Sequence, residues 1–231
     1  MYYSKKIAIR ALKSFVRGRP VAKFSSQASK VFCIGYNKTG TTSVMVALKN
    51  MGYKIAPQKP AEMLIERWAK RDFRSIAEFC HFHEAFQDVP FSCPHLYIYL
   101  DQVFPNAKFI LSVRDDPEQW YRSITRFHSK KVGDGDLPSE AQLRAAKNRY
   151  EGYLHDYNRY VYEVVDGDFY NKEKYIKSYD MHNDSVQSYF FWRPEKLLVL
   201  NVNAPQAYQS MANFLGKATG PEETFPWENA T

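Results

Sequence analysis

The tightest constraint lies near the start of the chain. Val31-Phe32-Cys33-Ile34 runs into Gly35-Tyr36-Asn37-Lys38-Thr39-Gly40 and then into Val44, Ala47, Leu48 and Met51. The first run is short and apolar, as suits a strand buried on both faces of a parallel sheet. The last four residues fall at i, i+3, i+4 and i+7, the stripe of a helix with one face in a core. Strand, glycine loop and helix together open an α/β unit. The chain can support such a fold: its 231 residues are 45% hydrophobic and 16% aromatic, ample for one sizeable core and too apolar for disorder. A membrane-spanning helix needs about 20 apolar residues in succession, and no run approaches that.

The same helical stripe recurs at Ala61, Leu64, Ile65 and Trp68, at Leu96, Tyr99, Leu100 and Val103, and at Tyr208, Met211, Ala212 and Leu215. Between these lie the apolar runs Lys108–Val113 and Leu197–Val202, with a weaker strand candidate at Ala85–Val89. The alternation predicts a three-layer α/β domain with a central, mainly parallel sheet over residues 31–231. Ser139 and Gln142 are spaced as a capping box. Beyond them Leu143, Ala146, Tyr150, Tyr153, Tyr157, Tyr160 and Val164 step by three and four, which predicts one long amphipathic helix packed on the domain. Its tyrosine-rich face also suits the wall of a substrate cleft.

Charge is unevenly distributed. The net +7 arises from 32 Lys and Arg against 25 Asp and Glu, yet residues 1–61 hold 12 of the bases and no acid. The remainder is mildly acidic, so a nucleic-acid partner is not expected. Residues 1–30 carry eight bases interleaved with serines, a basic leader or arm. Such a segment suits a solvated arm, an organelle address or contact with an anionic membrane. Cys33, Cys80 and Cys93 are odd in number and lack zinc spacing, so buried free thiols and a cytoplasmic setting are expected.

The loop carries the chemistry. Gly35 to Thr42 has the frame G-x-x-x-x-G-x-[ST], a P-loop-like anion nest leading into a helix N-terminus. A nucleoside-triphosphate loop places Lys after the second Gly; here that residue is Thr41, and the one lysine, Lys38, stands two positions before Gly40. A nucleotide kinase or NTPase is a rival reading, weakened by Thr41 at that position. A non-enzymatic anion- or membrane-binding module is another.

Lys38-Thr39-Gly40-Thr41-Thr42-Ser43 after a strand resembles the 5′-phosphosulfate loop of the sulfotransferases, which use 3′-phosphoadenosine 5′-phosphosulfate as sulfuryl donor. Phe109–Arg114, Asp115-Asp116-Pro117 and Ser123 resemble that family's 3′-phosphate block, with Asp116 as N-cap and Pro117 at the first helical position. One extra residue separates Arg114 from Ser123, and it falls in the loop ahead of the helix. Gln87-Asp88-Val89-Pro90 stands where cytosolic members have Thr-His-Leu-Pro, and weaker matches extend the resemblance over residues 31–228. The C-terminal Arg-Lys-Gly of cytosolic members has no counterpart.

The resemblance implies in-line sulfuryl transfer to a hydroxyl or amine of a small-molecule or carbohydrate acceptor. Lys38 would neutralise charge on the leaving oxygen, while Thr39, Gly40, Thr41, Thr42, Ser43, Arg114 and Ser123 would hold the donor. Asp88 is the first candidate for the base, with His83, Glu84, His95 and His182 as alternatives. No metal is expected.

Overall fold

The computed structural model describes residues 29–220 and 223–226; most of the basic leader lies outside the described residues. Four strands, β1 (Val31–Cys33), β2 (Ala85–Phe86), β3 (Lys108–Ser112) and β4 (Leu197–Leu200), form one sheet in the order β2-β1-β3-β4. Every pairing is parallel, with Phe32 opposite Phe86 and Phe109, and Leu111 opposite Val199. Parallel neighbours require crossovers, and the intervening helices supply them.

Helix α1 (Thr41–Asn50) follows β1. Three shorter helices, α2 (Gln58–Glu62), α3 (Ile65–Ala69) and α4 (Phe73–Cys80), lead to β2. Helix α5 (Leu96–Val103) precedes β3, and α6 (Pro117–Lys131) follows it. Then come α7 (Glu140–Ala145), α8 (Tyr153–Val161) and the long α9 (Lys172–Phe190), before β4 and α10 (Ala207–Leu215).

The period-two alternation of β1 divides the core. Phe32 and Ile34 join a large aromatic cluster with Phe86, Phe91, Phe109, Leu111, Trp120 and Tyr175 on one face of the sheet. Val31 and Cys33 face the other side, with Val44, Leu48, Ile110, Leu200 and Met211. Each fully buried side chain of this size contributes about 1.5–3 kcal/mol, so both faces must be covered for the sheet to persist. Phe32 packs 4.7 Å from Phe86 and 5.5 Å from Phe109, ring centre to ring centre, tying the three strands together.

Four expectations need correction. The long helix over 143–164 is broken into α7 and α8. The backbone turns extended at Ala146, and Gly152, at φ +85°, starts α8 from the left-handed region. The three-four spacing runs on because both pieces bury the same side: Leu143, Tyr153, Tyr157 and Val164 are all buried. The capping box of Ser139 and Gln142 forms at the start of α7. The Ala61–Trp68 stripe is likewise divided between α2 and α3. Strand β2 stops at Phe86, because Asp88 takes φ +63° and leaves the ladder. In α5, Tyr97 is buried while Val103 is exposed.

Candidate functional site

The glycine loop joins β1 to α1 at the C-terminal edge of the sheet, where open α/β sheets hold ligands. Gly35 permits close approach: a Cβ there would lie 2.2 Å from the Ser112 carbonyl oxygen at the end of β3. Gly40 takes φ +93° as the residue preceding α1, and Lys38 takes φ +72°, a conformation a lysine adopts only when its surroundings impose it.

Those surroundings grip the loop by its carbonyl oxygens. His182 Nε2 lies 2.8 Å from the Ile34 carbonyl, and the Thr39 hydroxyl donates to the Tyr36 carbonyl at 2.6 Å. The Trp120 indole donates to the Asn37 carbonyl at 3.0 Å, and Arg114 Nε donates to the Lys38 carbonyl at 2.6 Å. With these acceptors occupied inside the protein, the loop presents mainly donors to an incoming anion. Thr39 is fully buried, its hydroxyl shared with Tyr36 and Ser112, so it shapes the loop and offers no side chain outward. Thr41 and Ser43 are buried on the first turn of α1, and Thr42 lies between them.

The second block converges on the same place. Asp116 caps α6 by accepting from the Gln119 amide at 2.6 Å, with Pro117 at the first helical position. Asp115, the extra loop residue, is held by Gln119 at 2.7 Å and by Asn201. Neither carboxylate pairs with Arg114, whose backbone N–H instead donates to the Tyr179 hydroxyl at 3.0 Å. Tyr179 in turn stacks on Trp120 at 4.7 Å. A cleft of about 1030 Å³ opens here, walled by Gly40 and Ser43 from the loop, by Arg114, and by Gln119, Arg122, Ser123 and Arg126 from α6. Its far wall is the 202–209 segment and Thr224–Pro226, where Phe225 packs edge-on against Tyr208. Among the described residues no Asp or Glu lines it.

Lys38 lies beside the cleft, its ammonium 4.4 Å from the centre of the Phe127 ring on α6. Burial first, then Arg114, lowers its pKa; Asp88 acts in the opposite sense. Asp88 follows β2 at the same sheet edge. Its carboxylate accepts from the Val89 amide at 2.9 Å, from Gln58 at 3.1 Å and from the Asn37 side chain. Burial nevertheless raises its pKa from 3.8 to about 6. The carboxylate offers about four acceptor positions, so one remains. Behind it the polar row continues: Gln58 also donates to Glu62 at 3.0 Å, and Glu62 pairs with Arg149.

The other base candidates are placed less favourably. His83 and Glu84 precede β2, at the edge of the sheet opposite the loop; the His83 carbonyl accepts from Lys30 and the Glu84 carboxylate from the Lys54 amide. His95 is exposed ahead of α5. His182 is buried beneath the loop and stacked on Tyr36 at 4.4 Å, and burial lowers its pKa to about 4. As a neutral ring it supports the loop by donating to Ile34.

Several of these contributors are absent from the sequence reading: Trp120, Tyr179, Arg122 and Arg126. The last two had a visible signal, since positions 119, 122, 123 and 126 share one helical face. Elsewhere the three cysteines are buried and free. Glu140, His155 and Asp166 cluster closely enough to hold a metal ion, but Arg144 already pairs with both carboxylates. No helix among the described residues is long and apolar enough to cross a membrane.

A protein-family model described as a sulfotransferase domain matches residues 30–231. Comparison with curated proteins finds no match.

Proposed function

We propose, for a chain that belongs to the sulfotransferase family and is a sulfotransferase enzyme, in-line transfer of a sulfuryl group from 3′-phosphoadenosine 5′-phosphosulfate to a hydroxyl or amine of a small-molecule or carbohydrate acceptor. The observation that carries this reading is the convergence of Gly40 and Ser43 with Arg114 and Ser123 on one cleft whose described lining holds no carboxylate. That donor set suits a small ligand bearing two anionic groups: a donor-rich loop for one and an arginine with a hydroxyl for the other. The bound co-substrate supplies the sulfuryl group.

The rest is the work of the chain's own residues. The loop and the α1 N-terminus orient the 5′ group, with the loop's shape enforced by His182, Thr39, Trp120 and Arg114. Lys38 holds a positive charge at the loop crest, where negative charge builds on the leaving oxygen. A partly desolvated ammonium acts more strongly there than one in water. Arg114 spans both halves of the site, since its Nε holds the Lys38 carbonyl and its remaining N–H groups serve the terminal phosphate. Asp88, across from Lys38, takes the acceptor's proton. Its pKa near 6 leaves it ionised at neutral pH and close enough to neutrality to be an effective base.

Thermal unfolding tests the reading. Adenosine 3′,5′-bisphosphate should raise the midpoint. Protection by Mg-ATP alone would identify a triphosphate enzyme and overturn the proposal.

A further inference from the structure

Arg114 and Ser123 are the two terminal-phosphate groups that the resemblance identifies, and the C-terminal basic motif of cytosolic members has no counterpart within residues 31–231. Residues 218–231 contain no Lys or Arg, and Lys217 is turned onto the Tyr53 ring at 4.7 Å. The C-terminal residues that line the cleft, Thr224, Phe225 and Pro226, are uncharged.

Two other guanidinium groups do line it. Arg122 flanks Ser123 directly, and Arg126 stands one turn beyond on the same face of α6. Both are exposed. Among the described residues neither side chain makes an ion pair or hydrogen bond, because the neighbouring acids are engaged elsewhere. Glu118 pairs with Lys172 at 2.8 Å, Asp115 is held by Gln119 at 2.7 Å, and Asp116 caps the helix. Among the described residues, the cleft lining thus gathers three arginines and no carboxylate. Like charges on one wall repel until an anion joins them, and a guanidinium fork matches the oxygens of a terminal phosphate.

We propose that Arg122 and Arg126 complete the terminal-phosphate clamp with Arg114 and Ser123. Selectivity for a 3′-phosphorylated adenosine then resides on α6 rather than in the C-terminal segment. This inference rests on the sulfotransferase reading, and its test separates the two.

Calorimetry on the full chain compares adenosine 3′,5′-bisphosphate with adenosine 5′-monophosphate. The wild type should prefer the bisphosphate. Arg122→Ala and Arg126→Ala should each weaken bisphosphate binding about 10-fold, and the double variant about 100-fold, in line with charge-assisted hydrogen bonds. Monophosphate affinity should change less than about 3-fold, so that the preference collapses. Arg122→Lys, which keeps the charge and loses the fork, should fall between. Unchanged melting temperatures are expected at these exposed positions. If the double variant keeps the wild-type preference, or loses both ligands equally, the clamp is overturned while the sulfotransferase reading stands. If the wild type binds neither adenosine ligand, the reading falls and the clamp with it.

Discussion

The two sides of Lys38 are built on opposite principles. Toward α6 lies an open cleft with three arginines and, among the described residues, no carboxylate in its lining. Toward β2 lies a largely buried polar row in which Arg149 pairs with Glu62, and Gln58 donates to both Glu62 and Asp88. The first arrangement leaves charge uncompensated and waits for a ligand to supply the counter-charge. The second meets its carboxylates from within the protein, Glu62 by an ion pair with Arg149 and Asp88 by hydrogen-bond donors. On the proposed reading, donor binding and proton removal use different electrostatics, with Lys38 between the two.

Substitutions can break or sharpen that contrast. Lys38→Ala should have the largest effect, lowering turnover by about 10²–10³-fold while donor affinity shifts only a few-fold; a loss confined to donor affinity would remove Lys38 from the chemistry. Asp88→Asn should lower turnover by about 10²-fold and flatten the acid limb of the rate profile, which in the wild type should bend near pH 6.

Asp88 has a stability signature too. Its folded pKa of about 6 exceeds the ordinary 3.8, so the folded state holds this proton more tightly than the unfolded chain. Its contribution to stability is therefore fully present below the ordinary value and is lost as pH rises through about 6. In thermal melts Asp88→Asn should gain on the wild type at neutral pH relative to acid pH. A variant that tracks the wild type across that window would place the titration elsewhere.

Arg114→Ala should weaken donor binding by about 10–100-fold with a smaller loss of turnover; unchanged affinity would break its assignment. A matched pair tests the contrast in charge balance directly. Arg149→Met leaves Glu62 buried without its partner and should cost about 3 kcal/mol in denaturant unfolding. Arg126→Met, on the open wall, should cost about zero to 0.5 kcal/mol. Equal costs would erase the distinction between the two sides. Ser123→Ala should have the smallest effect, a few-fold in donor affinity, as for one hydroxyl hydrogen bond.

The donor side was legible because its parts are local. Strand, loop and helix follow one another between Val31 and Asn50, and Asp116, Pro117 and Ser123 announce α6 by capping chemistry and spacing. The sheet was legible for the same reason, each strand being a compact apolar run. What escaped depends on distance along the chain. Trp120 and His182 hold loop carbonyls 83 and 148 residues away, and no local pattern records such a contact. The polar row behind Asp88 joins residues from three separate segments. Periodicity misled over 143–164 because it reports which side a chain buries, and two short helices separated by residues 146–152 bury Leu143, Tyr153 and Tyr157 on one side as a single long helix would.

Lys30 adds a consequence for how the molecule is oriented. Its ammonium is held by the carbonyls of Cys80 and His83 at 2.7 Å each, and Ser29 bonds the Asn106 carbonyl at 3.0 Å, just ahead of β1. In a sheet whose strands all run the same way, the chain enters at one pole and the reaction crevice opens at the other. The described part of the chain therefore begins, at Ser29 and Lys30, on the pole opposite the cleft. A pull applied to the chain at Ser29 would act on that far pole, on the side of the sheet away from the cleft.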